Sequence, residues 1–178
     1  MTAPRIPGFT VRPIRLEDAE AWASYLCRPE VQQHTSLTVT SVEEVKTFIE
    51  RSLVIGATSP LRFAIIPEGT DSLIGTVGFH TISAEFASAE IAYDVTPAYW
   101  GKGVASSACR AATLWGFSDK GWHRVQATTM LPNLASQRVL EKVGFKREGL
   151  VRNFRLVRGS PADYWMYSAI PGEVRSAA

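Results

Sequence analysis

Several protein classes are excluded by what this chain has little of. Among 178 residues there are two cysteines, Cys27 and Cys109, too far apart for a C-x-x-C metal pair and too few for a disulfide scaffold. Two lone thiols fit a reducing, cytoplasmic setting. No apolar run approaches the ~20 residues of a membrane span, and the opening "MTAPRIPGF" lacks the apolar stretch of a secretory signal. Net charge is only +2 with no long basic block, which gives nucleic acid little support as the main partner. His34, His80 and His123 are scattered and form no metal pattern, and no G-x-S-x-G elbow is present. No internal repeat or low-complexity segment is visible. The expectation is one soluble cytoplasmic domain over 1–178, with loose tails at 1–8 and 171–178, no metal, no membrane contact and no nucleic acid.

What is present is an ordinary globular composition, 46% hydrophobic and 20% charged, in a chain long enough for a full core. "FTVRPI" alternates as a strand, and "LEDAEAWASYL" carries Ala19, Trp22, Ala23 and Leu26 at helical spacing. In "SVEEVKTFIERSL", Ser41 and Glu44 make a capping box ahead of the stripe Val42, Val45, Phe48, Ile49 and Leu53. "LRFAII", "SLIGTVGFHTI" and "ASAEIAYDV" read as strands. A helix follows after Pro97, then the strand "HRVQATTM", the helix "NLASQRVLEKVGF" stopped by Gly144, and a final strand pair. This order predicts an α/β (α+β mixed) fold, a mixed sheet with helices on both faces.

The segment "PAYWGKGVASSACRAATLWGF" places Gly101 and Gly103 on either side of Lys102, at the start of a small-residue helix. Glycines let backbone N–H groups approach an anion, and a helix N-terminus adds unpaired donors and its dipole. Three phosphate loops compete for this pattern. The nucleotide P-loop needs four residues before Gly-Lys-Ser/Thr, and the spacing fails. The dinucleotide fingerprint fails because Ser106 stands where the third small residue belongs, and Asp119 precedes a strand rather than ending one. The pyrophosphate loop of acyl-coenzyme A binders fits best: a strand ends at "EIAYDV", a short turn follows, and "GKGVA" enters the helix.

On these residues the chain resembles the GNAT N-acetyltransferase superfamily. "WGKGVA" is similar to the motif Gln/Arg-x-x-Gly-x-Gly/Ala, with Trp100 at the first position, where the family's polar contact is lost. "PAYWGKGVASSA" and "NLASQRVLEKVGFKREG" resemble the branch of ribosomal-protein N-terminal acetyltransferases, RimJ/RimL-like. The resemblance implies a GNAT fold with a mostly antiparallel central sheet, and acetyl-CoA as co-substrate. It implies a primary-amine acceptor, preferentially the α-amine of a protein N-terminus, with a small amine or a silent CoA-binding module as alternatives. A homodimer is compatible with it. Cofactor contacts are expected at Val95, Gly101, Lys102, Gly103, Val104, Ala105, Ser106, Asn133 and Arg138, with Lys142 further along the same helix.

Acetyl transfer to an amine needs a neutral nucleophile, a donor for the developing oxyanion and a proton for the leaving thiolate. An α-amine has a pKa of ~8 and a lysine amine ~10.4, so a base helps more for lysine. Strand alternation puts Glu90, Ala92 and Asp94 on one face, and Ile91, Tyr93 and Val95 on the other. Glu90 is the first candidate base, by likeness to GNAT enzymes with a glutamate on this strand; Asp94 is the second. The family's oxyanion donor implies the backbone N–H near Val95. Its usual tyrosine acid, seven positions after Asn133, is here Leu140, so Ser136 either takes that role or orients the thiol. Asn133 reads either as a helix cap or as a ligand of the pantetheine amides. Cys109, Trp22, Trp115, Phe117 and Trp122 read as core. Tyr164, Trp165 and Tyr167 lie where the family lines its acceptor groove, with at least one of them expected in the core.

Overall fold

The computed structural model describes residues 2–33, 35–36 and 38–174; His34 lies outside them. Seven strands form a sheet in the order β1-β2-β3-β4-β5-β7-β6. They are β1 (Phe9–Pro13), β2 (Leu61–Pro67), β3 (Gly75–Ser83), β4 (Ser88–Val95), β5 (Arg124–Met130), β6 (Lys146–Val157) and β7 (Ser160–Ala169). Every neighbouring pair is antiparallel except β4 and β5, which run parallel. A parallel pair needs a crossover, and the helix α4 (Val104–Asp119) supplies it. The mixed, mostly antiparallel sheet matches the expectation.

Helices cover both faces. On one, α4 and α5 (Leu134–Val143) pack over Phe63, Val77, Phe79, Ile91 and Tyr167. Ala108, Cys109 and Ala112 are fully buried, and their small side chains let α4 lie close on the strands. Burial pushes the Cys109 thiol up to about 12, so it acts as an apolar filler and not a nucleophile. Trp115 and Trp122 pack edge-on at 6.4 Å, with Phe79 against both.

On the opposite face, α1 (Ala19–Leu26), the single turn α2 (Pro29–Gln32) and α3 (Val42–Leu53) pack through Trp22, Tyr25, Val31, Val45 and Ile49. Ser41 caps α3 by accepting from the Glu44 N–H at 3.2 Å, and the Glu44 carboxylate reaches back to the Thr40 N–H at 2.6 Å. The single turn of α2 is too short to show periodicity in the sequence.

The expected loose tails are packed in their described parts. Ile6 is buried in the core beside α4, and Thr2 Oγ1 donates to Asp119 Oδ1 (2.5 Å) while accepting from Trp115 Nε1 (3.1 Å). At the other end Val174 is buried and Glu173 pairs with Lys146. One apolar residue among prolines and glycines is enough to pin each segment, but too little to register as a pattern. Residues 175–178 of the second tail lie outside the described residues.

One side chain ties α1 to the sheet. Asp94 Oδ1 accepts from Trp22 Nε1 at 3.0 Å and from the Tyr25 hydroxyl at 2.5 Å, while Oδ2 accepts from Thr76 Oγ1 at 2.7 Å. Arg62 lies beneath, donating to the Ala92 carbonyl at 3.2 Å, with its guanidinium 5.7 Å from the Trp22 ring. Asp94, the second candidate base, is thus committed to structure, its two oxygens engaged by three donors. Burial, and then the charge of Asp94, hold the Tyr25 phenol well above its usual value.

Asp94→Ala strands three donors, and at ~1 kcal/mol or more each the expected loss is roughly 2–4 kcal/mol, seen as a fall in Tm of about 5–15 °C. The folded state holds the Tyr25 proton more tightly than the unfolded chain does. Its contribution is therefore complete below an unfolded tyrosine pKa of ~10 and is lost as pH rises beyond it. Tyr25→Phe should flatten that alkaline fall in a denaturant series between pH 9 and pH 11.

Candidate active site

The ladder between β4 and β5 is short: Ser88↔Arg124, Ala89↔Val125 and Glu90↔Gln126 pair, and nothing pairs beyond. The Thr96 N–H is bound to Ile74 O at the β3 end. By alternation the N–H and C=O groups of Ile91, Tyr93 and Val95 turn the other way, toward β5. The parted strands open a cavity of about 260 Å³ whose lining includes Glu90, Tyr93, Thr128, Asn133, Ser136 and Tyr164.

At the end of β4 the glycine loop takes the conformation its sequence requires. Gly101 and Gly103 have φ of +74° and +79°, a region L side chains avoid, and a Cβ built on either meets no protein atom within 4 Å. The first bond of α4 runs from Ser107 N–H to Gly103 O at 3.0 Å. The N–H groups of Val104, Ala105 and Ser106 therefore have no acceptor within the helix. Trp100, expected to cost a polar contact, provides one: its indole N–H donates to the Val95 carbonyl at 2.7 Å and ties the loop to the strand end. The Lys102 ammonium sits 4.9 Å from the Tyr99 ring, which keeps its charge beside the loop.

On α5, Asn133 Oδ1 accepts from the Ser136 N–H at 3.0 Å, so capping accounts for its carbonyl oxygen. The Ser136 hydroxyl is 3.0 Å from the Tyr93 hydroxyl, a partnership across the gap that sequence spacing does not reveal. Burial holds the Tyr93 phenol well above its ordinary value. Leu140 is fully buried in the core, and Arg138 and Lys142 lie exposed on the outer side of α5.

Glu90 is only 3% exposed and keeps company that sequence reasoning missed. Its Oε1 accepts from Thr128 Oγ1 at 2.7 Å and from Arg155 Nη2 at 2.8 Å, with His80 Nε2 at 3.8 Å. Strand parity could have suggested His80 and Thr128, which share Glu90's face. Arg155 arrives from β6, 65 residues away, with no local signal. Burial holds His80 below its ordinary pKa; the charge of Glu90 opposes this, while those of Arg62 and Arg155 add to it. Of the late aromatics, Tyr167 is core, its hydroxyl 3.2 Å from Glu141 Oε1; Trp165 stacks under Arg147 at 4.5 Å; Tyr164 lines the cavity. Among the described residues no group of three His, Cys, Asp or Glu could hold a metal ion, and no helix is long and apolar enough to cross a membrane.

Residues 9–146 match the acetyltransferase (GNAT) domain family. The chain is 34% identical over 167 residues to the uncharacterized N-acetyltransferase p20 of Bacillus licheniformis, covering 93% of this chain and 94% of that protein. A solved GNAT-family acetyltransferase from Bacillus anthracis superposes with a TM-score of 0.82 at 28% identity, covering 95% of this chain and 98% of that one. A more distant relative is the [Ribosomal protein uS5]-alanine N-acetyltransferase of Escherichia coli, 25% identical over 107 residues, or 60% of this chain and 55% of that protein. This protein belongs to the GNAT acetyltransferase family, among relatives that include the RimJ/RimL-like enzymes. It is an N-acetyltransferase of acyltransferase class.

The electrostatics of the cluster can be read by NMR titration of the His80 ring. The imidazole should titrate below the ordinary ~6.5. Arg155→Ala removes a lowering charge and should raise it; Glu90→Gln removes the raising charge and should lower it further. A His80 value that ignores both substitutions would contradict the arrangement.

Proposed function

We propose that this N-acetyltransferase transfers the acetyl group of acetyl-CoA to a primary amine by direct attack, with the α-amine of a protein N-terminus as preferred acceptor. The observation that carries the reading is the parting of β4 and β5 immediately past Glu90, between the glycine loop and a buried carboxylate. Acetyl-CoA suits the residues present. The cradle at Gly101 and Gly103 has room that a Cβ would fill, the N–H donors of the first turn of α4 are free of acceptors within the helix and suit a diphosphate, and the unpaired edge of β4 can take an extended amide arm as an added strand. Gly101, Lys102, Gly103, Val104, Ala105 and Ser106 hold the diphosphate in this reading; Asn133 and the edge of β4 hold the arm, and Arg138 reaches the outer phosphate. When bound, the co-substrate supplies the activated thioester carbonyl.

The chain's own residues then have three tasks. The Val95 N–H, turned toward the gap, donates to the carbonyl oxygen as negative charge grows there. Glu90 draws the proton from the amine, and Thr128 and Arg155 fix its orientation. Ser136, hydrogen-bonded to Tyr93, gives the leaving sulfur a proton, the two hydroxyls standing in for a tyrosine that Leu140 replaces.

The charge balance bears on the acceptor. Glu90 already faces Arg155, and Asp94 faces Arg62 and three donors. A polyamine would find no free carboxylate here and would meet two guanidinium groups, whereas a single α-amine brings one charge to lose. The E. coli relative, named a [Ribosomal protein uS5]-alanine N-acetyltransferase, supports the same reading. A protein acceptor of that kind places the enzyme in the cytoplasm.

The deciding experiment is acetyl-CoA turnover, read as thiol release, against Ser- and Ala-initiated peptides, polyamines and aminoglycosides. Peptides should lead; a polyamine or aminoglycoside ahead of them would move the acceptor to small molecules, and no release with any amine would leave CoA binding alone. Gly103→Trp should weaken CoA in calorimetry by at least about 100-fold, ~2.7 kcal/mol; wild-type affinity would remove the loop from the assignment. Glu90→Gln should lower turnover by roughly 100-fold below pH ~8, where the α-amine is protonated, with the deficit shrinking as pH rises.

A further inference from the structure

Two buried hydroxyls of the cavity wall, Thr129 Oγ1 and Tyr164 Oη, have no hydrogen-bond partner among the described residues. Leaving a buried hydroxyl unmatched is costly, so such a group in a cavity wall marks a place where something else completes the bond. Tyr164 is the more telling of the two. It is 3% exposed, and its partner in the β5–β7 register is Met130, which puts it on the same face as Thr128. Thr128 binds Glu90, and Arg155 links both sites, with Nη2 2.8 Å from Glu90 Oε1 and the guanidinium 5.8 Å from the Tyr164 ring. A second ring, Phe154, meets Tyr164 edge-on at 5.7 Å and holds it in place.

Resting on the acceptor reading above, we infer that the Tyr164 hydroxyl oxygen receives one N–H of the incoming primary amine, and so selects primary over secondary amines. A neutral primary amine has one lone pair and two N–H bonds. The lone pair is committed to the carbonyl carbon, so each N–H bond is best matched by an acceptor on the cavity wall. Glu90 Oε1 is already engaged by Thr128 and Arg155, which leaves its other oxygen for the N–H whose proton departs. The Arg155 guanidinium has no lone pair to offer a second N–H, and the Thr128 hydroxyl is held against Glu90. Tyr164 Oη is a buried acceptor on this face with no protein bond to surrender. An N-methylated amine has only one N–H, gives it to Glu90, and gains nothing from Tyr164.

The test compares wild type with Tyr164→Phe on two peptides that differ only at the N-terminus, alanine against N-methylalanine, with acetyl-CoA kinetics and thermal melting alongside. In the variant the acceptor KM for the alanine peptide should rise about tenfold, a loss of ~1.4 kcal/mol. The N-methyl peptide should be unaffected, so the preference for the primary amine narrows by that factor. The KM for acetyl-CoA should stay the same. Tm should hold or rise, since the substitution removes an unmatched buried hydroxyl rather than a made bond. An unchanged alanine preference, an equal loss on both peptides, a shift in the acetyl-CoA KM, or a Tm fall of several degrees would each overturn the inference. Failure of wild type to acetylate any amine would instead remove the acceptor reading itself, and this inference with it.

Discussion

The organisation of this protein turns on one interrupted ladder. β4 and β5 run parallel, bond for three residue pairs, and separate beyond Glu90↔Gln126. A parallel pair demands a helical crossover, so α4 must begin at the far end of β4, where the chain turns through its two left-handed glycines. Separation of the strands turns the backbone of Ile91, Tyr93 and Val95 toward a space instead of a neighbour. An unpaired sheet edge is ordinarily a liability; here it is enclosed between α5 and the glycine loop, where an extended amide ligand can complete it.

Charge on the cavity wall is almost fully compensated, and that sets the chemistry. Asp94 and Glu90 both line the cavity, but Asp94 is engaged at both oxygens in fastening α1 to the sheet, whereas the bonds to Glu90 fall on Oε1. Arg155 pairs with Glu90, and burial together with two guanidinium charges holds His80 below its ordinary pKa against the charge of Glu90. A buried carboxylate with a single oxygen engaged is suited to drawing one proton in a fixed direction. An unmatched hydroxyl such as Tyr164 carries weight on this wall because a buried polar group without a partner is costly.

How far the sequence reached depended on the range of each interaction. The strand and helix positions were legible because alternation and capping are local: Ser41 with Glu44, Asn133 with Ser136, Gly144 after α5. Gly101 and Gly103 were legible because no other residue sits easily at their φ. Trp100 was misjudged because a tryptophan at a polar position reads as a loss, and its indole bond to Val95 forms only once the turn closes. The burial of Ile6 and Val174 was not legible because a single apolar residue leaves no periodicity.

The sequence by itself determined the family, the glycine turn ahead of α4 and the strand that carries Glu90, since each depends on neighbours within a few residues and on local backbone preferences. Only the tertiary structure decided which groups surround that carboxylate. Thr128, Arg155 and His80 come from three different strands, Tyr93 meets Ser136 across the gap, and Asp94 is spent on Trp22 and Tyr25 far upstream. These are contacts between segments tens of residues apart, fixed by sheet order and register, and no pattern along the chain encodes which side chains the closing of the sheet will bring face to face.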